Sequence, residues 1–222
     1  ILNEKKDELV RQGREVFNLS VGTPDFKPAP HVMEAFYKAC QDPENYKYSL
    51  VDIPELLQAV VGHYERRYGV HIEPEEIMSV NGSQEGIAHI ALALCDAGDV
   101  VLVPNPGYPI FSIGPFLCGA EPVTYDLKPE NHYMPDFSAI PADVAKKAKF
   151  MIVSYPLNPV CAAADDTVYE ELIRFAKEND IIVLHDNAYS DIIYDGRKGG
   201  SFLHYEGAKD VGVEFYSLSK SY

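Results

Sequence analysis

Basic residues are scarce in this sequence: 19 lysines and arginines stand against 34 aspartates and glutamates, a formal charge of -15. A surface of that sign repels phosphate backbones and anionic membranes at long range, which makes nucleic acid and membrane lipid poor partners. Cysteine is sparser still. Cys40, Cys95, Cys118 and Cys161 show no C-x-x-C spacing, and each lies in an apolar or helix-like context where a free thiol acts as a small hydrophobe. A reducing, cytoplasmic compartment is the expectation, with no metal site. No apolar run reaches the roughly 18 to 20 residues of a membrane span. The start has neither a basic leader nor a secretory apolar region, and it opens on Ile1 rather than methionine, as a trimmed start would.

What is present is a chain of 222 residues, 46% of them hydrophobic, enough to bury a substantial core. Helical and strand-like segments alternate without repeats or low-complexity linkers, the rhythm of an α/β fold. A helix-like stretch covers 31–40, and the spacing predicts helices over 54–68, 83–97, 108–117 and 166–179. Short apolar or β-branched runs predict strands over 100–103, 122–125, 150–154, 181–185 and 213–217, with a further strand-like stretch at 77–80. Such runs suit a parallel sheet covered on both faces. Ligands of such sheets collect beyond the carboxyl ends of the strands, so the residues that follow each strand are the candidates for chemistry.

Those positions are rich. The run 150–154 leads into Tyr155, Pro156, Leu157, Asn158 and Pro159, an amide on a stiff turn. The run ending at His185 leads into Asp186, Asn187, Ala188 and Tyr189, a carboxylate and a phenol. The last run leads into Ser217, Leu218, Ser219 and Lys220, hydroxyls and an amine. Taken singly, each has a plainer reading: Lys220 as a solvated lysine, Asp186 and Asn158 as turn residues, Tyr189 as a structural tyrosine.

In this order, Tyr155-Pro156-x-Asn158-Pro159, Asp186-x-Ala188-Tyr189 and Ser217-x-Ser219-Lys220 resemble the aspartate aminotransferase superfamily, the class I and II aminotransferases of fold type I. The likeness covers nearly the whole chain. It begins at Asn18 to Phe26 and runs on through Asn81 to Gly86 and Asn105 to Pro109. It implies a fold-type I large domain, α/β, with a mostly parallel sheet between helices. Residues 1–30 would be an N-terminal segment and 31–222 a partial cofactor-binding domain, without the family's C-terminal small domain. The implied activity is a pyridoxal 5'-phosphate-dependent aminotransferase moving an amino group between an amino acid and a 2-oxo acid, working as a homodimer. A β-eliminating lyase on the same cofactor, or a non-catalytic sensor or fragment, are the alternatives.

The resemblance assigns roles. Lys220 would form a Schiff base with the cofactor aldehyde and shuttle the substrate α-proton, because a desolvated amine near other cations loses its proton readily. Asp186 would hold the pyridine nitrogen protonated and so keep the ring an electron sink. Tyr189 and Asn158 would hydrogen-bond the ring's 3-oxygen. Gly82, Ser83 and Gln84 open a helix whose free N–H groups and dipole suit the phosphate, although Ser83 alone could be an N-cap. The capping-box partner is missing, since Gly86 stands at the third position on. Ser217 resembles a second phosphate donor and Tyr108 the aromatic stacked on the pyridine face. Gly22 and Asn158 fall on the substrate side. Tyr48, with Tyr46 as its rival, matches the tyrosine that reaches a phosphate across the dimer interface.

The sequence also departs from the pattern. Asp52 stands where a glycine is common. Val160 and Cys161 replace the usual Thr-Gly, so a left-handed backbone there would cost Cys161 about 1–2 kcal/mol. In the family a further strand, inserted between the one that ends in Ser217 and an earlier one, and arginines for phosphate and substrate carboxylate follow the lysine. The sequence ends at Tyr222, and the expectation from this is a truncated chain that is inactive alone.

Overall fold

The computed structural model describes residues 1–19, 22–24, 26–194 and 196–222. Of the family-like segment 18–26, residues Ser20, Val21 and Asp25 lie outside the described residues. Five strands form one parallel sheet: β1 (Val100–Asn105), β2 (Glu121–Asp126), β3 (Ala148–Ser154), β4 (Ile182–Asn187) and β5 (Gly212–Tyr216), in spatial order β2-β1-β3-β4-β5. The helices are α1 (Leu2–Arg11), α2 (Pro30–Cys40), α3 (Pro54–Tyr68), α4 (Ser83–Leu94), α5 (Ile110–Leu117), α6 (Ala142–Ala145), α7 (Asp166–Asn179) and α8 (Ala208–Val211).

The near-continuous apolar strands make this arrangement necessary. Val101, Val103, Phe150, Ile152, Val183 and Leu184 all lose their exposed surface, which for residues on both faces of a strand requires a layer on each side. The helices supply those layers. In α7, Val168, Leu172, Ile173 and Ala176 are buried at helical spacing; Asp165 caps its first turn by accepting from the Val168 amide at 3.2 Å, and a left-handed Asp180 ends it. In α3, Pro54 opens the first turn and Gly69, at φ 65°, terminates the last. Close contact fixes α4: a Cβ on Gly86 would stand 2.4 Å from Phe215 of β5, so that helix can lie on the strand only because Gly86 has no side chain.

Several boundaries differ from the expected ones. The helix expected over 83–97 ends at Leu94, and the one expected from 108 begins at Ile110. Strand β4 runs on to Asn187, so Asp186 belongs to the ladder, opposite Phe215, rather than to the turn after it. The stretch 77–80 is extended but is not a strand. It has no ladder partner among the described residues, since β5 is an edge of the sheet. Between the two lies a groove of about 710 Å³, lined by α3 and β5 side chains. Helix α1 forms where no helix was expected, with no buried residue.

Candidate active site

Because all five strands are parallel, their carboxyl ends lie along one edge of the sheet. The register aligns Ser154 with Asp186 and Asp186 with Phe215, and this brings the turns after β3, β4 and β5 together. Asp186 is the deepest polar member: it is 7% exposed, and its Oδ1 has no hydrogen-bond partner among the described residues. Burial pushes its carboxyl up to about 6; the His185 imidazole opposes the rise, Glu214 adds to it, and the Lys220 charge opposes it.

Above it, Asn158 Nδ2 lies 3.5 Å from the Tyr189 hydroxyl, at the limit of a hydrogen bond. The Tyr189 phenol is raised by burial and by Asp186, and Asn158 works against both. Lys220 Nζ stands 5.7 Å from the centre of the Tyr189 ring and donates to the Gly22 carbonyl at 3.2 Å. Amine, carboxylate, phenol and amide thus share one cluster, with Gly22 beside the amine.

The N-terminus of α4 borders the cluster. Gly82 takes φ 93° before the helix, and no side chain caps it. The first-turn N–H groups of Ser83 and Gln84 have no earlier turn to bond to. Tyr108 donates to Gln84 Oε1 at 3.4 Å, which ties the turn after β1 to this helix start. Ser217 Oγ accepts from the Ser219 amide at 3.1 Å. Tyr48 is not brought in: it is 90% exposed, while Tyr46 donates to the Cys40 carbonyl at 2.9 Å.

At the departures, Cys161 takes φ 58°, the left-handed conformation a glycine would occupy, and its amide bonds back to the Leu157 carbonyl at 2.6 Å. The side chain at that φ carries the strain. Asp52 accepts from the Ser79 amide at 2.8 Å and from its hydroxyl, pinning the loop before α3 to the stretch 77–80. Sequence reasoning missed a second set of polar residues behind the cluster. Arg67 pairs with Asp191 at 3.3 Å, Tyr216 donates to Asp191 at 2.7 Å, and Tyr68 shares a hydrogen bond with Ser190 at 2.8 Å, so α3 braces the turn that bears Tyr189. Arg67 and Asp191 lie 124 positions apart in the sequence and Tyr68 and Ser190 122, so no local pattern marks them.

The parallel α/β sheet thus gathers a buried carboxylate with one oxygen unpartnered among the described residues, a lysine and a phenol at its strand ends, beside a helix start with no side-chain cap. The chain matches the family described as aminotransferase class I and II over residues 14–222, and it belongs to that family. It is 45% identical to the LL-diaminopimelate aminotransferase of Aquifex aeolicus (strain VF5) across 100% of this chain and 58% of the relative. For the enzyme of that name from Moorella thermoacetica the figures are 43%, 100% and 57%. Among solved structures, substrate-bound BacF from Bacillus subtilis superposes with a TM-score of 0.91 at 39% identity, over 99% of this chain and 56% of that one. A probable N-succinyldiaminopimelate aminotransferase from Thermus thermophilus gives 0.90 at 33%, over 99% and 60%. The chain therefore spans just under three-fifths of the length of the relatives it matches, 58% in the first case.

Proposed function

We propose that this chain supplies the cofactor-holding residues of a pyridoxal-phosphate-dependent aminotransferase, which moves an amino group between an amino acid and a 2-oxo acid. The observation that carries the reading is the buried Asp186 Oδ1, which has no partner among the described residues and stands within reach of the Lys220 charge. A carboxylate left so is costly unless a cation or a donor meets it, and a protonated pyridine nitrogen is such a donor. In this reading residues 31–222 form the cofactor-binding domain and 1–30 an N-terminal segment.

When bound, pyridoxal phosphate supplies an aldehyde for amines and a ring that withdraws electrons from the substrate's α-carbon. Asp186 holds a proton at the ring nitrogen. Tyr189 and Asn158 would donate to the ring's 3-oxygen, and Tyr108 would hold the ring from one side. The amide groups of Gly82, Ser83 and Gln84, with the Ser217 hydroxyl, take the phosphate at the start of α4. Lys220 Nζ would hold the cofactor through its amine and would move the substrate's α-proton; Gly22 and Asn158 would border the substrate. LL-diaminopimelate, named in the relatives at 45% and 43% identity, is the amino donor to test first. The exposed run around Tyr48 and Leu50 supports a homodimer in which Tyr48 reaches the partner subunit's phosphate. The free thiols support a reducing compartment, and the cytoplasm is the proposed location.

Borohydride reduction of the full-length protein loaded with pyridoxal phosphate, followed by peptide mapping, should place the label on Lys220. Label on Lys198 or Lys209 instead would end the assignment. An amino-donor panel with 2-oxoglutarate as acceptor then separates transamination from elimination, which would release pyruvate and ammonia with no acceptor present.

A further inference from the structure

The side chains of Glu214 and His185 have no exposed surface, and nothing in the reading above uses them. Strand alternation places His185 and Asn187 on one face of β4 and Asp186 on the other. Glu214, opposite His185 in the ladder, grips both flanking residues at once. His185 Nδ1 lies 2.9 Å from its Oε2, and Asn187 Nδ2 donates to its Oε1 at 3.1 Å. Three further donors fix the carboxylate: the Tyr64 hydroxyl of α3 at 2.8 Å, the Ser201 hydroxyl at 2.9 Å and the Phe202 amide at 2.9 Å. On its far side the imidazole meets the Tyr169 hydroxyl of α7 at 3.2 Å.

We propose that Glu214 is a positioning residue for Asp186: by holding the side chains on either side of it, Glu214 fixes the turn of the β4 backbone that aims the Asp186 carboxylate into the site. This rests on the reading of Asp186 as the partner of the ring nitrogen. A pinned pair at the positions before and after leaves the residue between them little rotational freedom. Five donors satisfy the carboxylate, which is what a buried charge needs in order to be retained. Burial alone would raise the Glu214 carboxyl, but the His185 contact and the Asn187 and Tyr64 donors outweigh it and hold the group below the ordinary range. An acid that stays ionised keeps its grip across the pH range in which Asp186 titrates. The charged groups bearing on Asp186 are His185 beside it, Glu214 across the ladder and Lys220 above; Tyr64 and Tyr169 face the pair from the helices.

The test is a double-mutant cycle in the full-length, pyridoxal-phosphate-loaded protein. Glu214→Gln keeps the shape but removes the charge and turns one acceptor oxygen into a donor, so at least one of the five donors must give up its bond or reverse its role. It should lower kcat about 10- to 100-fold, the scale of a misplacement near 1 Å, and leave KM within about threefold. In an Asp186→Ala background the same change should cost less than about twofold, because a residue acting through Asp186 has nothing left to position. Carbon-13 titration of the Asp186 carboxyl in the cofactor-free protein adds a readout independent of turnover, and Glu214→Gln should lower its midpoint. An equal kcat loss in both backgrounds, or an unmoved midpoint, would overturn the positioning role alone. If Asp186→Ala leaves turnover intact, the reading of Asp186 falls and this inference with it. Should Glu214→Gln fail to fold, Asn187→Ala releases one grip only, and the same cycle should show about a tenfold loss that disappears without Asp186.

Discussion

Strands β3 and β4 and the stretch before α3 are both rich in apolar residues, yet they end in opposite environments. Phe150, Ile152 and Leu184 are fully buried, whereas Tyr48, Leu50 and Val51 are 90%, 85% and 79% exposed. Composition does not separate these regions; coverage does. The strands lie in a sheet whose register and flanking helices close both faces, while the exposed side chains stand on segments with no facing layer in this chain. Uncovered apolar side chains of this kind are what the proposed homodimer would cover. The same division holds for polar groups. Behind the sheet every Glu214 oxygen is satisfied, and at the strand ends Asp186 Oδ1 is left open. The division is not complete, since Asn187 Oδ1 beside Glu214 is also without a partner among the described residues.

The contrast breaks most visibly by truncation of side chains. Phe150→Ala should cost about 3–5 kcal/mol, the range for a fully buried phenylalanine, whereas Leu50→Ala should stay within about 0.5 kcal/mol for the isolated protomer. Urea unfolding followed by circular dichroism reads both. In sedimentation, Leu50→Asp should weaken self-association at least about tenfold without lowering the protomer's midpoint. Equal destabilisation by Phe150→Ala and Leu50→Ala would show that the stretch before α3 is core after all.

A smaller effect sharpens the comparison at Asp186, where an open group sits inside the closed region. Its carboxyl lies near 6 in the folded chain against 3.8 for the ordinary group. The folded state therefore binds more protons than the unfolded one between those values. Stability contributed by this group is fully present below pH 4 and is lost as pH rises through about 6. The full difference corresponds to about 3 kcal/mol at most. Cofactor-free Asp186→Asn should thus be more stable than the parent by about 1–2 kcal/mol at pH 8, with the gain gone near pH 4. A gain independent of pH would mean that the carboxylate is already compensated.

These regions were not equally legible. Helices 54–68 and 166–179 could be read to the residue, because proline, aspartate and glycine mark their ends by local rules that the fold obeys. The three strand-end motifs could be read for the same reason: order along the chain becomes proximity once the sheet is parallel. What could not be read depends on contacts distant in sequence. The stretch 77–80 has strand composition, but a strand exists only with a ladder partner. Glu214 looks like a surface charge until Tyr64, 150 positions earlier, is brought to it. The Asp52 contact to Ser79 likewise needs the folded loop.

The smallest expected effect lies at Cys161, where the turn after β3 keeps a left-handed backbone with a side chain on it. A residue with a Cβ at φ 58° gives up about 1–2 kcal/mol that glycine does not. Glycine returns part of that, about 0.5–1 kcal/mol, through the greater freedom of the unfolded chain. Cys161→Gly should therefore stabilise by a net few tenths to about 1 kcal/mol, and Cys161→Ala should do nothing comparable, since it keeps the Cβ. The thiol's contact with the Pro159 carbonyl, at 3.7 Å, is too long to reverse the sign. The two variants, compared by urea midpoint and melting temperature, isolate the backbone from the sulfur. If Ala and Gly shift stability equally, the sulfur was the source. If Gly destabilises by more than about 1 kcal/mol, the turn beside Asn158 needs a side chain there, and its replacement of the family's glycine is then a feature of the site rather than a tolerated strain.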